Sequence, residues 1–367
     1  MFLWFVQYFG PLLEQLESRT TGDSRVYLTA RTAAASVSAF LLALVLGPVV
    51  IRLLKTRFRE RIHSDSERLN ELQADKNETP TMGGVFVMAA VLFSSIVWAD
   101  LSSGYVLVGI FVLVSLTGLG ALDDWIKLTT ARKGLTVTQK LSGQLFVAAI
   151  AVVLIWLEQK TQSQGTSLVW PLGNVAFSLG PWFIAWGILV LVGTSNAVNL
   201  TDGLDGLATG CTIFAGSAFV ALTYLCGHRV MADYLMIPHI IGAGELTIIL
   251  GALVGAMLGF LWFNCYPAQV FMGDAGSLPI GGLLAVSALV IRQEALLVIV
   301  GGIFVLETLS VILQVGWFRF TGRRLIRCSP LHNHFLFRGD HEIKIVTRFW
   351  IGSALLAIVG IASLKLH

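Results

Sequence analysis

Five aspartates in three separated segments are the residues of this chain best suited to chemistry. Asp123 and Asp124 are adjacent in the run Gly120-Ala121-Leu122-Asp123-Asp124-Trp125. Asp202 and Asp205 lie in the run from Asn196 to Gly206, and Asp274 in Phe271-Met272-Gly273-Asp274-Ala275-Gly276-Ser277. Each segment borders a long apolar stretch. A single loop aspartate often caps a helix, and Asp205, followed by a helical run, fits that role as well as a functional one. The adjacent pair is different. Two like charges at the end of an apolar helix cost desolvation and repulsion unless a cation offsets them. Mg2+ suits such a place, because it takes hard oxygen ligands, usually one or two carboxylates plus phosphate oxygens. The loops carry no His/Cys set suited to Zn2+. Gly203, Gly206, Gly273 and Gly276 let backbone approach a ligand closely, and N–H groups at a helix start favour phosphate.

Lys76, Lys127 and Lys140 complete a site for a polyanion plus a metal, although lysines there serve equally as orientation signals or headgroup contacts. The run Pro330-Leu331-His332-Asn333-His334 adds two imidazoles at i and i+2, suited to hydrogen bonding phosphate or to moving a proton. Glu307 and Gln314 are seven residues apart, about two helical turns, inside an apolar stretch. An ionisable group there is a functional candidate. For Glu307, buried hydrogen bonding between helices is the competing account.

The elements that must position these groups follow from composition. Of 367 residues, 55% are hydrophobic and 13% charged, about half the charged share of a soluble domain. The apolar residues come in runs of about 20, enough to cross a bilayer. Ten spans are expected, near 28–51, 82–99, 105–122, 141–158, 181–195, 207–226, 246–263, 278–292, 295–316 and 347–365. The stretch 2–13 is too short to span and belongs to an interfacial N-terminal segment, 1–27, ahead of a single polytopic membrane domain, 28–367. Lacking a basic start, it does not read as a cleaved signal. Of the 25 Lys and Arg residues, 17 fall on loops of one parity. The loop at 52–81 holds Arg52, Lys55, Arg57, Arg59, Arg61, Arg68 and Lys76. The loop at 123–140 holds Lys127, Arg132, Lys133 and Lys140, and 317–346 holds Arg319, Arg323, Arg324, Arg327, Arg338 and Lys344. The opposite loops hold Lys160, Arg229, Arg292 and little else. The rich side is cytoplasmic by the positive-inside rule, both termini are periplasmic, and the aspartates share the cytoplasmic face. A transporter would place its ionisable groups near the midplane instead. Net charge of +3 gives no argument for nucleic acid, and Cys211, Cys226, Cys265 and Cys328 are too scattered for a metal or disulfide framework.

Taken together, these motifs resemble the polyprenyl-phosphate N-acetylhexosamine-1-phosphate transferases. The matching runs are Thr79-Pro80-Thr81-Met82-Gly83-Gly84, Asp123-Asp124, Asn196 through Gly206, Tyr266-Pro267-Ala268 leading to Phe271-Met272-Gly273-Asp274, and Glu307 through Gln314. They span roughly residue 28 to the C-terminus. The first and third runs are those of members whose donor is UDP-N-acetylmuramoyl-pentapeptide rather than UDP-N-acetylglucosamine. The resemblance implies an all-α integral membrane fold of ten transmembrane helices, a cytoplasmic active-site cleft in the bacterial inner membrane, Mg2+ dependence and often a homodimer. It implies transfer of the phospho-sugar to undecaprenyl phosphate with release of UMP, giving the first lipid intermediate of peptidoglycan. Carried onto this chain, Asp274 is the metal ligand and Asp123 and Asp124 the catalytic pair, with His332 and His334 also on the catalytic side. Asp202, Gly203, Leu204, Asp205, Asn264 and Phe271 line the uridine pocket, with Lys76 and Lys127 nearby and Lys140 on phosphate. Thr81, Asn196, Asn199 and Gln314, within matching runs, join the substrate-binding set. One departure stands out: the family usually has three consecutive histidines and a Glu two positions on, whereas this chain reads His332, Asn333, His334, Phe335, Leu336. Asn333 can hydrogen bond but cannot shuttle a proton near neutral pH.

Overall fold

A computed structural model describes residues 27–57, 76, 79–130, 134–160, 162, 165–170 and 175–365. The N-terminal segment 1–26 and the basic residues Arg59, Arg61, Arg68, Arg132 and Lys133 lie outside the described residues. The chain is an all-α integral membrane protein. Among the described residues, the first four helices are α1 (Leu28–Arg57), α2 (Gly84–Trp98), α3 (Gly104–Thr129) and α4 (Val137–Gln159). After a short antiparallel hairpin of β1 (Ser167–Trp170) and β2 (Val175–Ser178) come α5 (Phe183–Thr201), α6 (Leu207–Gly227) and the short α7 (Arg229–Leu235). The rest is α8 (Leu246–Asn264), α9 (Asp274–Ile291), α10 (Glu294–Val300), α11 (Gly302–Thr321), α12 (Leu331–Arg338) and α13 (Glu342–Ala362). Among the described residues, nine stretches are long and apolar enough to cross a membrane, and α2, with 15 residues, is a shorter apolar helix.

Nine of the ten expected spans each correspond to one helix. The tenth, expected at 295–316, is broken: α10 ends at Val300, Gly301 interrupts, and α11 begins at Gly302. The paired glycines cost helix stability where the apolar run continues. The hairpin, at the end of the molecule away from the aspartates, has no counterpart among the expected elements.

The run at 278–292 becomes the centre of the fold. All 18 residues of α9 are buried, against α3, α5, α6 and α2. Small residues make this possible, since helices inside a membrane associate by close packing rather than by the hydrophobic effect. A Cβ on Gly281 would lie 2.4 Å from the Thr194 carbonyl oxygen of α5. The lipid-side surfaces of α1, α4, α11 and α13 instead carry exposed Leu, Val, Ile and Phe. At the end remote from the aspartates, Arg31 and Glu245 form a fully buried pair at 2.6 Å, and Glu245 also accepts from the Asp100 N–H at 3.1 Å. This closes the bundle of α1, α2 and α8.

Candidate active site

The C-terminal ends of α3, α5 and α8 and the N-terminal ends of α4, α6, α9 and α13 meet at one end of the molecule. The position of α9 decides the site. Residues 80–84 pair with 271–272 as a short ladder: Phe271 N–H donates to Pro80 O, Gly83 N–H to Phe271 O and Gly84 N–H to Met272 O, each at 2.8 Å. Gly273 then turns the chain at φ 73°, a left-handed value that a side chain resists, and Asp274 opens the helix. Gly120, one turn before Asp124, lets α9 approach: a Cβ there would sit 2.2 Å from the Asp274 carbonyl oxygen.

This approach gathers Asp123, Asp124 and Asp274, each offering an oxygen within 4.8 Å of the others, all buried. Two lysines offset the charge. Lys127 Nζ lies 2.8 Å from Asp123, 3.0 Å from Asp274 and 3.5 Å from Asp124. Lys140 Nζ lies 2.6 Å from Asp274 and 3.9 Å from Asp123. The carboxylates are also aimed by donors: Asn199 Nδ2 to Asp274 Oδ1 at 2.6 Å, Leu135 N–H to Asp123 at 2.6 Å and Ala275 N–H to Asp124 at 3.1 Å. A capping box between Thr136 and Gln139 starts α4 and so sets Lys140 in place.

Beside this cluster, burial and then the charges of Asp274, Asp124 and Asp205 push the Asp202 carboxyl up to about 7. Asp205 belongs to a second network. Lys76 Nζ bridges Asp205 at 2.6 Å and Glu342 at 2.5 Å, Glu342 accepts from the Asp205 N–H, and Asp205 accepts from the Ala268 N–H. Glu342, in the first turn of α13, was not among the sequence candidates; an acidic residue at a helix start gives no local sign of a partner 137 residues away. The N-cap role considered for Asp205 is not what the structure shows: Gly206 occupies the cap of α6, without a side-chain cap bond.

The remaining candidates divide. Thr81 is buried beside Gly273, and Phe271 and Leu204 border the 202–206 and 264–272 loops. Asn264 braces these loops from inside, its Oδ1 accepting from Gly206 N–H and Thr209 Oγ1 and its Nδ2 donating to Val270 O. Asn196 pairs with Gln144 of α4. Gln314 Oε1 accepts the N–H groups of Leu325 and Ile326, shaping the loop before α12. His332 is buried with its Nε2 against Gly203, whereas His334 turns to that loop and accepts from the Arg327 N–H. Asn333 is also buried, and its Oδ1 has no hydrogen-bond partner among the described residues.

Three carboxylates, two lysines and glycine-lined loops thus meet at one end of a helical membrane bundle. The family model for glycosyl transferase family 4 matches residues 105–292. The chain is 46% identical over 345 residues to the phospho-N-acetylmuramoyl-pentapeptide-transferase of Solidesulfovibrio magneticus, covering 93% of this chain and 94% of that one. It is 45% identical to that of Pelobacter propionicus and 44% to that of Desulfosudis oleivorans, with the same shares covered. The chain therefore belongs to glycosyl transferase family 4, in the branch formed by these phospho-N-acetylmuramoyl-pentapeptide-transferases.

Proposed function

We propose that this protein transfers phospho-N-acetylmuramoyl-pentapeptide from its UDP derivative to undecaprenyl phosphate, releasing UMP. The observation that carries this reading is the cluster of Asp123, Asp124 and Asp274 bridged by Lys127 and Lys140, in a chain whose relatives carry that name. An acceptor phosphate oxygen attacks the β-phosphorus of the donor, the bond to the α-phosphate oxygen breaks, and UMP departs. Such chemistry is mostly positioning and charge neutralisation.

The donor set fits Mg2+: three carboxylates with oxygens within 4.8 Å and no thiolate or imidazole among them. Asp123, Asp124 and Asp274 would hold it, and when bound it supplies positive charge against the diphosphate. Lys127 and Lys140, both within reach of Asp274, bind phosphate oxygens when the substrate enters. Asp123 or Asp124 orients the acceptor phosphate, or attacks first to give an acyl-phosphate. The Asp205–Lys76–Glu342 network and the half-buried Phe271 form the nucleotide end of the site. Between α5 and α10–α11, an apolar cavity of about 240 Å³ lined by Leu189, Val190, Gly193, Leu297, Phe304 and Val305 receives isoprenoid units of the acceptor. The excess of Lys and Arg on loops at this end supports a cytoplasmic orientation of the site.

The test is UMP release by the purified protein in detergent, with UDP-N-acetylmuramoyl-pentapeptide, undecaprenyl phosphate and Mg2+. Release that depends on all three supports the reading; release indifferent to the lipid phosphate sinks it. A phospho-sugar adduct trapped on Asp123 or Asp124 selects the covalent route.

A further inference from the structure

We propose that Glu307 is a positioning residue that fixes His332 as the Nδ1–H tautomer, leaving Nε2 as an acceptor turned onto the substrate loop. This rests on the transferase reading above, because it assigns a role within the same site.

Glu307 lies in the membrane-spanning helix α11 and is fully buried; His332, the second residue of α12, is 1% exposed. An ionisable group at such a place needs a partner. Its partner is not a neighbouring helix turn but a residue 25 positions on, held twice. The His332 backbone N–H donates to Glu307 Oε1 at 3.1 Å, and the ring Nδ1 lies 3.2 Å from Oε2. The backbone donor decides the roles. With the carboxylate set as acceptor by the backbone N–H, the ring Nδ1 facing its other oxygen is the matching donor, so the proposed tautomer carries its proton on Nδ1. Nε2 then keeps its lone pair.

The other side of the ring shows where that lone pair is turned. A Cβ built on Gly203 would lie 2.3 Å from His332 Nε2 and 2.8 Å from Cε1. Gly203 is the residue between Asp202 and Leu204 in the loop where α5 ends and α6 begins, so the imidazole edge rests on that loop's backbone. A side chain at 203 would displace the ring. Glu307 thus does for His332 what the buried acid of a catalytic triad does: it selects the tautomer and the orientation of the ring. The titratable group against the ring is Glu307 from α11, and the loop on its other side carries Asp202 and Asp205 on either side of Gly203. The pairing also separates the two histidines of the run. His332 is the oriented one; His334 is occupied by the Arg327 N–H.

Glu307→Gln is the discriminating variant. Glutamine keeps shape and volume but can present an N–H to Nδ1, which favours the opposite tautomer. With 15N-histidine labelling, and His332→Asn to assign the signal, the parent protein shows a protonated Nδ1 and bare Nε2 at His332. In Glu307→Gln the Nε2–H form appears, and kcat falls by about 100-fold or more. KM for both substrates and the melting temperature in the same detergent stay within about twofold and a few degrees. Glu307→Asp, which retains a carboxylate, recovers part of kcat. The proposal is overturned if the parent shows Nε2–H, or if Glu307→Gln keeps kcat within about twofold. A loss of folding in Glu307→Gln alone leaves the parent spectrum to decide. Should the protein prove to use another donor, the same kcat comparison on that donor still tests Glu307, so the two readings fail separately.

Discussion

Replacing Asp274 with Asn removes one charge from the cluster while keeping its shape. In the parent, Asp274 receives Lys140 at 2.6 Å, Lys127 at 3.0 Å and Asn199 at 2.6 Å. Lys127 keeps Asp123 at 2.8 Å and Asp124 at 3.5 Å after the change, and Lys140 keeps only Asp123 at 3.9 Å. Asp274 is buried, but the two lysines are 27% and 20% exposed and each keeps another aspartate, so the loss stays below the roughly 3–5 kcal/mol of breaking a fully buried pair. Relief of repulsion among three carboxylates within 4.8 Å works in the opposite direction. Folding stability should therefore fall by no more than about 3 kcal/mol. Activity should not be so forgiving: removing one group that stabilises transition-state charge typically costs 10²–10³-fold, roughly 3–4 kcal/mol. The assay is UMP release across a Mg2+ titration, paired with thermal unfolding in the same detergent with and without Mg2+. A parent protein that holds the ion gains about 2.7 kcal/mol at a hundredfold excess over Kd, and Asp274→Asn should lose most of that gain. If Asp274→Asn retains more than about a third of kcat with an unchanged Mg2+ midpoint, Asp274 is not a ligand and the reasoning from the cluster fails.

Two further outcomes test the positioning of the site. Gly120→Ala puts a Cβ 2.2 Å from the Asp274 carbonyl oxygen and 2.6 Å from the Ala275 nitrogen, both backbone atoms that cannot rotate away. It should lower stability by about 1–3 kcal/mol and activity with it, measured by melting temperature and UMP release; an unaltered enzyme would refute the close approach of α3 and α9. Asp202, raised to about 7, holds a proton in the folded state between about pH 4 and 7 that the unfolded chain has lost. Its contribution to stability is therefore complete below about pH 4 and is lost as pH rises through 7. Asp202→Asn should flatten the decline in melting temperature between about pH 5 and 8, and an unchanged slope would contradict the shift.

Which parts of this were legible beforehand depended on whether the signal was local. Apolar runs gave the span count, and the short motifs gave Asp123, Asp124 and Asp274 as a set. The break at Gly301 was hidden inside an apolar run, because that run continues from α10 across the glycines into α11, which has the 20 residues of a span by itself. That α9 is buried on every side followed from the position of its small residues against α3 and α5, which no periodicity within 278–292 reveals. Pairings across long sequence separations were the least legible. Glu342 with Lys76 and Asp205 spans three segments, and Glu307 with His332 joins an intramembrane acid to a loop histidine. For Glu307 the expected alternative, hydrogen bonding between helices, has the right chemistry, with its partner on α12. Asn196 lies in a motif run and Asn264 two residues before one, yet their amide groups are used to brace backbone and neighbouring helices.

The measurement that bears most directly on the central claim is turnover with two donors under identical conditions. Purified protein is given undecaprenyl phosphate, Mg2+ and either UDP-N-acetylmuramoyl-pentapeptide or UDP-N-acetylglucosamine, and UMP release is followed. The account predicts that kcat/KM for the muramoyl-pentapeptide donor exceeds that for UDP-N-acetylglucosamine by about 100-fold or more. Equal turnover, or faster turnover of UDP-N-acetylglucosamine, would contradict it.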